Sequence, residues 1–197
     1  MITRERFDLI KKNWGEIASW AVWEGPYDRS KLNVGDLTLF EDEKILKILN
    51  PEVILVGLNI SRDDLRGAPA FTNFHSKSED AQEYKLRYVL KDTGLWGGYM
   101  TDIIKDHPDI NSKNVLEKLK KDPSIETKSI ESFQSEIDDL GVKEPLIIAL
   151  GGPSYEIIKR YFNPSRVVKL THFSHYINLE KYKAEVVEIC KLRNLSF

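Results

Sequence analysis

Cysteine is nearly absent from this 197-residue chain: Cys190 stands alone, which excludes an internal disulfide and a cysteine-ligated iron–sulfur cluster and fits a reducing compartment. A dominant charge is missing too. With Lys+Arg 29 against Asp+Glu 31 the formal net charge is -2, so no strong global field draws the chain onto polyanions, and tight nonspecific coating of DNA is not expected. There is no run of about 18 apolar residues, and the charged start Met1 to Arg6 has no apolar stretch behind it. A membrane partner is therefore not expected, and the expected location is cytoplasmic. Internal repeats, low-complexity tracts and Gly/Ser linkers are also lacking, so one continuous domain over 1–197 is expected.

What is present is ordinary globular composition. The chain is 41% hydrophobic and 10% aromatic with Gly 11 and Pro 8, and a chain of this size can bury roughly 70% of its surface. Val53 to Leu58 and Pro145 to Leu150 are short apolar runs with a glycine at or just beyond the end, the pattern of strands buried on both faces. Gly98 to Ile104 and Arg166 to Leu170 add two shorter strands rich in β-formers. Helical spacing separates them: Ala81 to Thr93, Ser129 to Leu140, a helix opening at Pro153, and Leu179 to Leu192. Alternating strands and helices predict an α/β fold, a three-layer αβα arrangement around a short parallel sheet of about four strands. Ligands in such sheets bind beyond the carboxyl ends of the strands.

Those ends supply the candidate residues. After the first strand come Gly57, Leu58, Asn59, Ile60 and Ser61; the second ends in Thr101 and Asp102; the third runs into Gly151-Gly152-Pro153-Ser154; the fourth runs into Thr171-His172-Phe173-Ser174-His175-Tyr176. Two of the four histidines thus share one loop at the expected ligand edge.

In this order the motifs resemble the uracil-DNA glycosylase superfamily. Val56-Gly57-Leu58-Asn59 is similar to its first motif in the asparagine version, and Thr171-His172-Phe173-Ser174 to its final histidine-x-serine motif. Phe71 stands near the place of the aromatic that stacks on an extruded base, with Phe74 as a substitute, and Asp102 where the base edge is read. The pattern departs at Ile60 and Phe173, where the family usually has proline, and at His175. The resemblance implies a divergent DNA-base glycosylase that hydrolyses the N-glycosidic bond of an extruded uracil-like or mismatched base. It needs no metal or organic cofactor, and its partner would be DNA or another nucleobase-containing ligand. Asn59 would hold water against the sugar carbon, His172 would stabilise charge on the leaving base, and Gly57, Phe71, Phe74 and Asp102 would bind the base. Ser154, Ser174 and Tyr176 would meet phosphate or DNA, Tyr176 or Phe173 by analogy with a wedge. A local basic rim would draw on Arg62, Arg66, Lys159, Arg160, Arg166 and Lys169.

Plainer readings stand beside these. Asn59 suits a turn or a helix cap, His172 a hydrogen-bonded loop, Phe71 and Phe74 loop anchors, and Asp102 a cap. Gly151-Gly152-Pro153-Ser154 lacks both nucleotide fingerprints and suits a tight strand-to-helix turn. Trp14 to Trp23, holding three of the four tryptophans, suits a core-covering element, and Glu117 to Asp122 a solvated helical face. The alternative function is a noncatalytic nucleobase or nucleic-acid binding module with the same fold. A third is metal-assisted hydrolysis through His172 and His175 with His75 or Asp102. The stretch from Ser61 to Asp80 is long enough for a loop covering the cleft.

Overall fold

The structure, a computed structural model, describes residues 1–61, 65, 67–78 and 80–196. Helix α1 (Arg4–Trp14) leads into the two-residue strand β1 (Ser19–Trp20), and a long connection with two 3-10 turns reaches β2 (Asn50–Asn59). Then follow α2 (Tyr84–Leu90), β3 (Gly98–Ile104), α3 (Ser112–Lys121), α4 (Pro123–Leu140), β4 (Leu146–Leu150), α5 (Gly152–Tyr161), β5 (Val167–Leu170) and α6 (Leu179–Leu192). The sheet runs β1-β3-β2-β4-β5. Strands β3, β2, β4 and β5 are parallel, and β1 adds an antiparallel edge through Ser19↔Met100 and Trp20↔Tyr99. This is the expected α/β architecture with one strand more than the sequence suggested.

Alternation along the strands divides the core into two layers. Ile54, Val56, Tyr99, Ile103, Ile147 and Val167 join Phe7, Ile10, Val115, Phe133, Ile137 and Ile157, which places α1, α3, α4 and α5 on one face. Val53, Leu55, Met100, Ile148 and Leu170 join Leu86, Val89, Tyr182, Val186 and Cys190, so α2 and α6 cover the other. Both faces of β2 are therefore buried, which is why it reads as an unbroken apolar run.

Several boundaries shift for identifiable reasons. Helix α2 ends at Leu90, short of the expected Thr93, because Lys91 is extended and Asp92 turns to φ 65. Helix α4 begins at Pro123 rather than Ser129: the Asp122 side chain accepts from the Ser124 amide and Pro123 supplies a first turn that needs no donor. The charged run Glu117 to Asp122 does lie on a solvated helical surface, with Val115 and Leu119 of α3 turned inward. Trp20 and Trp23 are buried, as a core-covering segment requires.

The chain passes from β2 to β3 on one side and then to β4 on the other, so the switch point of the parallel sheet lies between β2 and β4. Gly57, Asn59 and Gly151 all stand at its carboxyl end.

Candidate functional site

The register of β2 against β3 sets Gly57 directly beside Asp102. A Cβ at position 57 would lie 2.2 Å from Asp102 Oδ1, so the missing side chain is what makes room for the carboxylate. Asp102 is only 5% exposed. Its Oδ2 accepts from Asn73 Nδ2 at 3.1 Å, while Oδ1 meets no hydrogen-bond donor among the described residues. Burial pushes the carboxyl up to about 6; Asn73 and Lys105 pull it down, and Glu136 adds to the rise.

Asn59 shares the Gly57 face two residues further along β2. Its Nδ2 donates to the carbonyls of Ile60 and Asp109, both at 2.8 Å, which ties the end of β2 to the loop after β3. Both amide hydrogens are spent there, and Oδ1 is left as the outward acceptor.

Across the switch point, Gly151 at φ 91 brings the backbone within 3.4 Å, at its would-be Cβ, of the Cβ of His172. The Ser174 amide donates to His172 Nδ1 at 3.2 Å and the Ser174 hydroxyl lies 2.8 Å from the same nitrogen. A nitrogen that accepts an N–H carries no proton, so the ring proton sits on Nε2, which has no partner among the described residues. Burial lowers the imidazole to about 4 and the neighbouring His175 lowers it further, so His172 is a neutral donor at pH 7. The ring stacks on Phe173 at 4.5 Å, and Phe173 meets Phe74 edge-on at 6.4 Å. Lys85 of α2 pins this loop from beneath, donating to the carbonyls of Phe173 at 3.1 Å and His175 at 3.0 Å.

Gly57, Asp102, Phe74, His172 and Ser174 are thus gathered on the α2/α6 side of the strand ends. Three inter-strand spacings, about 14 Å, separate the backbones of β3 and β5. Asp102 stands on one flank of this span and His172 on the other, with Gly57 and Gly151 at the strand ends between them.

Other expected residues lie elsewhere. Phe71 is fully buried against Phe7 and Phe40 on the opposite face of the sheet and offers no open ring to a ligand. Ser154 is fully buried, its hydroxyl donating to the carbonyl of Leu150 at 2.6 Å and lying 3.2 Å from that of Gly151, so it faces inward and not toward a phosphate. Tyr176 is fully exposed. The basic rim does not assemble: Lys159 and Arg160 lie in the last turn of α5, and Arg166 ends the 3-10 turn just before β5, at the opposite end of the sheet from the site. There Arg160 pairs with Glu126 at 2.7 Å and Lys159 with Glu156 at 2.7 Å. Lys169 alone of this group stands near the carboxyl edge, and Arg62 and Arg66 lie outside the described residues.

Among the described residues no three His, Cys, Asp or Glu side chains are placed to hold a metal ion. His175 stands 6.3 Å from the His172 ring, and His75 is buried with Nε2 against the Val22 carbonyl and Nδ1 against Ser19 Oγ. The third ligand of the metal reading is therefore missing. Sequence reasoning also passed over Asn73, Lys85 and Lys105, whose roles depend on partners distant in the chain.

No family model matches the chain, and neither the curated proteins nor the solved structures contain a match to it.

Proposed function

We propose that this protein binds a nucleobase at the carboxyl end of its sheet and releases it by hydrolysing the N-glycosidic bond. The observation that carries this reading is the Asp102 carboxyl, buried over Gly57 with one oxygen satisfied and the other free. Oδ1 is not sealed from solvent, so its open lone pairs are within reach of a ligand N–H.

The remaining groups have matching tasks. Water attacks the anomeric carbon, the C–N bond breaks, and its electron pair leaves with the base, which takes up a proton at the departing nitrogen. Asn59 Oδ1, held outward by two bonds to carbonyls, accepts from the attacking water. The neutral His172 donates from Nε2 to the base oxygen on which charge gathers, a contact stronger in the transition state than before it. Phe74, Phe173 and the His172 ring form an aromatic wall beside the base.

One observation favours a second reading, a base-binding module without hydrolysis: both Asn59 donors go to backbone carbonyls, as they would in a purely structural tether. The experiment is base release from single- and double-stranded oligonucleotides carrying uracil, mismatched thymine, hypoxanthine or deaminated guanine, with Asn59→Ala and His172→Ala alongside. Hydrolysis predicts release that falls at least about 100-fold in each variant. Binding without release, unaffected by Asn59→Ala, selects the second reading; neither binding nor release overturns both.

A further inference from the structure

We propose that Asp102 accepts two kinds of base edge according to its protonation, and that the buried Lys105–Glu136 pair sets the pH at which it changes from one to the other. This deepens the nucleobase reading above and rests on it.

The carboxyl is fixed in polarity from one side. Asn73 spends its two amide hydrogens on the Ile17 carbonyl at 2.7 Å and Asp102 Oδ2 at 3.1 Å, and its own oxygen accepts from the Phe74 amide at 3.1 Å. It cannot turn over without losing all three bonds. Oδ2 is therefore always an acceptor toward Asn73, and a proton added to the carboxyl goes to Oδ1, over Gly57. Ionised, Asp102 presents acceptors alone and suits two adjacent N–H donors, as on the Watson–Crick edge of guanine. Protonated, it presents a donor at Oδ1 and a spare lone pair at Oδ2. It then suits a lactam edge, an N–H beside a C=O, as in uracil and hypoxanthine.

Among the described residues the charged groups around it are few. From the end of β3, Lys105 donates to the Asp102 main-chain carbonyl at 2.6 Å. Its ammonium, nearly buried, lies 2.6 Å from Glu136 of α4, which is fully buried. The other Glu136 oxygen accepts from the Tyr99 hydroxyl at 2.7 Å. Strand β2 contributes only Gly57, the loop before α2 contributes the neutral Asn73, and across the site His172 is uncharged at pH 7. Lys105 therefore favours the ionised carboxyl, Glu136 and burial favour the protonated one, and the balance near 6 leaves both forms within reach of ordinary conditions.

The test is binding of deoxyuridine, deoxyinosine and deoxyguanosine, followed calorimetrically from pH 5 to pH 8 on the full chain. Affinity for deoxyuridine and deoxyinosine should weaken about tenfold from pH 5 to pH 7, while deoxyguanosine, whose N1–H lies between a C=O and an N–H and so suits either form of the carboxyl, should change less. Asp102→Asn, an amide with a permanent donor and acceptor, should bind lactam edges with a flat pH profile. Lys105→Met should move the change to higher pH. The double variant Lys105→Met with Glu136→Leu removes both buried charges, guards against misfolding from an unpaired carboxylate, and should move it less than Lys105→Met alone. Nucleoside binding that ignores pH in the wild type, or a slope that survives Asp102→Asn, overturns this inference while leaving base binding intact. Absence of nucleoside binding at every pH, in every variant, overturns the nucleobase reading and this inference together.

Discussion

Two buried charged side chains, Arg87 and Asp102, are treated differently by the same fold. Arg87 is fully buried and directs one terminal nitrogen to the carbonyls of Glu24 at 2.8 Å and Leu32 at 2.6 Å, and the other to that of Ser30 at 2.5 Å. It fastens the loop between β1 and β2 to α2. Asp102 is buried to a similar degree, yet one of its oxygens faces a glycine and meets no donor among the described residues. Arg87 spends its terminal nitrogens on the protein's own backbone, its Nε alone lacking a partner among the described residues, and is a structural fastener, whereas Asp102 Oδ1 is unpaired yet not sealed from solvent, which leaves it open to a ligand N–H.

Substitutions should separate the two. Arg87→Met leaves three backbone carbonyls without their donors and should cost about 3–4 kcal/mol in urea unfolding. Asp102→Asn should do the reverse above neutral pH. Because folding raises this carboxyl from its usual 3.8 to about 6, the folded state holds the proton more tightly, and the wild type loses stability as pH rises from about 4 to 6. That decline amounts to about 3 kcal/mol, so Asp102→Asn should flatten the curve and be the more stable protein at pH 8. Gly57→Ala should cost about 1–3 kcal/mol through collision with Asp102 Oδ1, and adding Asp102→Ala should recover part of it, a non-additivity read by a double-mutant cycle. The smallest effect lies across the site: His175→Gln should raise the His172 titration midpoint from near 4 by a few tenths of a unit, followed by NMR of the ring.

The parallel strands were readable in the sequence because β2 and β4 are buried on both faces and close on glycine-bearing turns. Helix α1 was not, since Arg4, Glu5, Arg6, Lys11 and Lys12 surround the inward Phe7 and Ile10 and mask their spacing. Strand β1 has only two residues and exists through its pairing with β3. Residue type and place after a strand put Gly57, Asn59, Asp102 and His172 at the carboxyl end of the sheet, where the structure also has them. They could not choose between Phe71 and Phe74. Both take positive φ, 70 and 64, and the turn between them sends one ring to Phe7 and Phe40 and the other to Phe173. Nor could they show that α5 carries Lys159 and Arg160 away from the ligand edge, because direction along a helix is settled only once its strand is placed. Asn73 and Lys105 escaped notice for a related reason: a polar residue in a loop becomes informative only when its partner, here Asp102 or Glu136, is known.

The central claim is that a nucleobase sits between Asp102 and His172. Amide and side-chain NMR shifts recorded while deoxyuridine is added to the full chain at pH 5.5 test it most directly. The account predicts perturbations confined to Gly57, Asn59, Asp102, Gly151 and the His172 loop, abolished by Asp102→Ala. Saturable shifts centred away from the strand ends, or none at millimolar nucleoside, would contradict it.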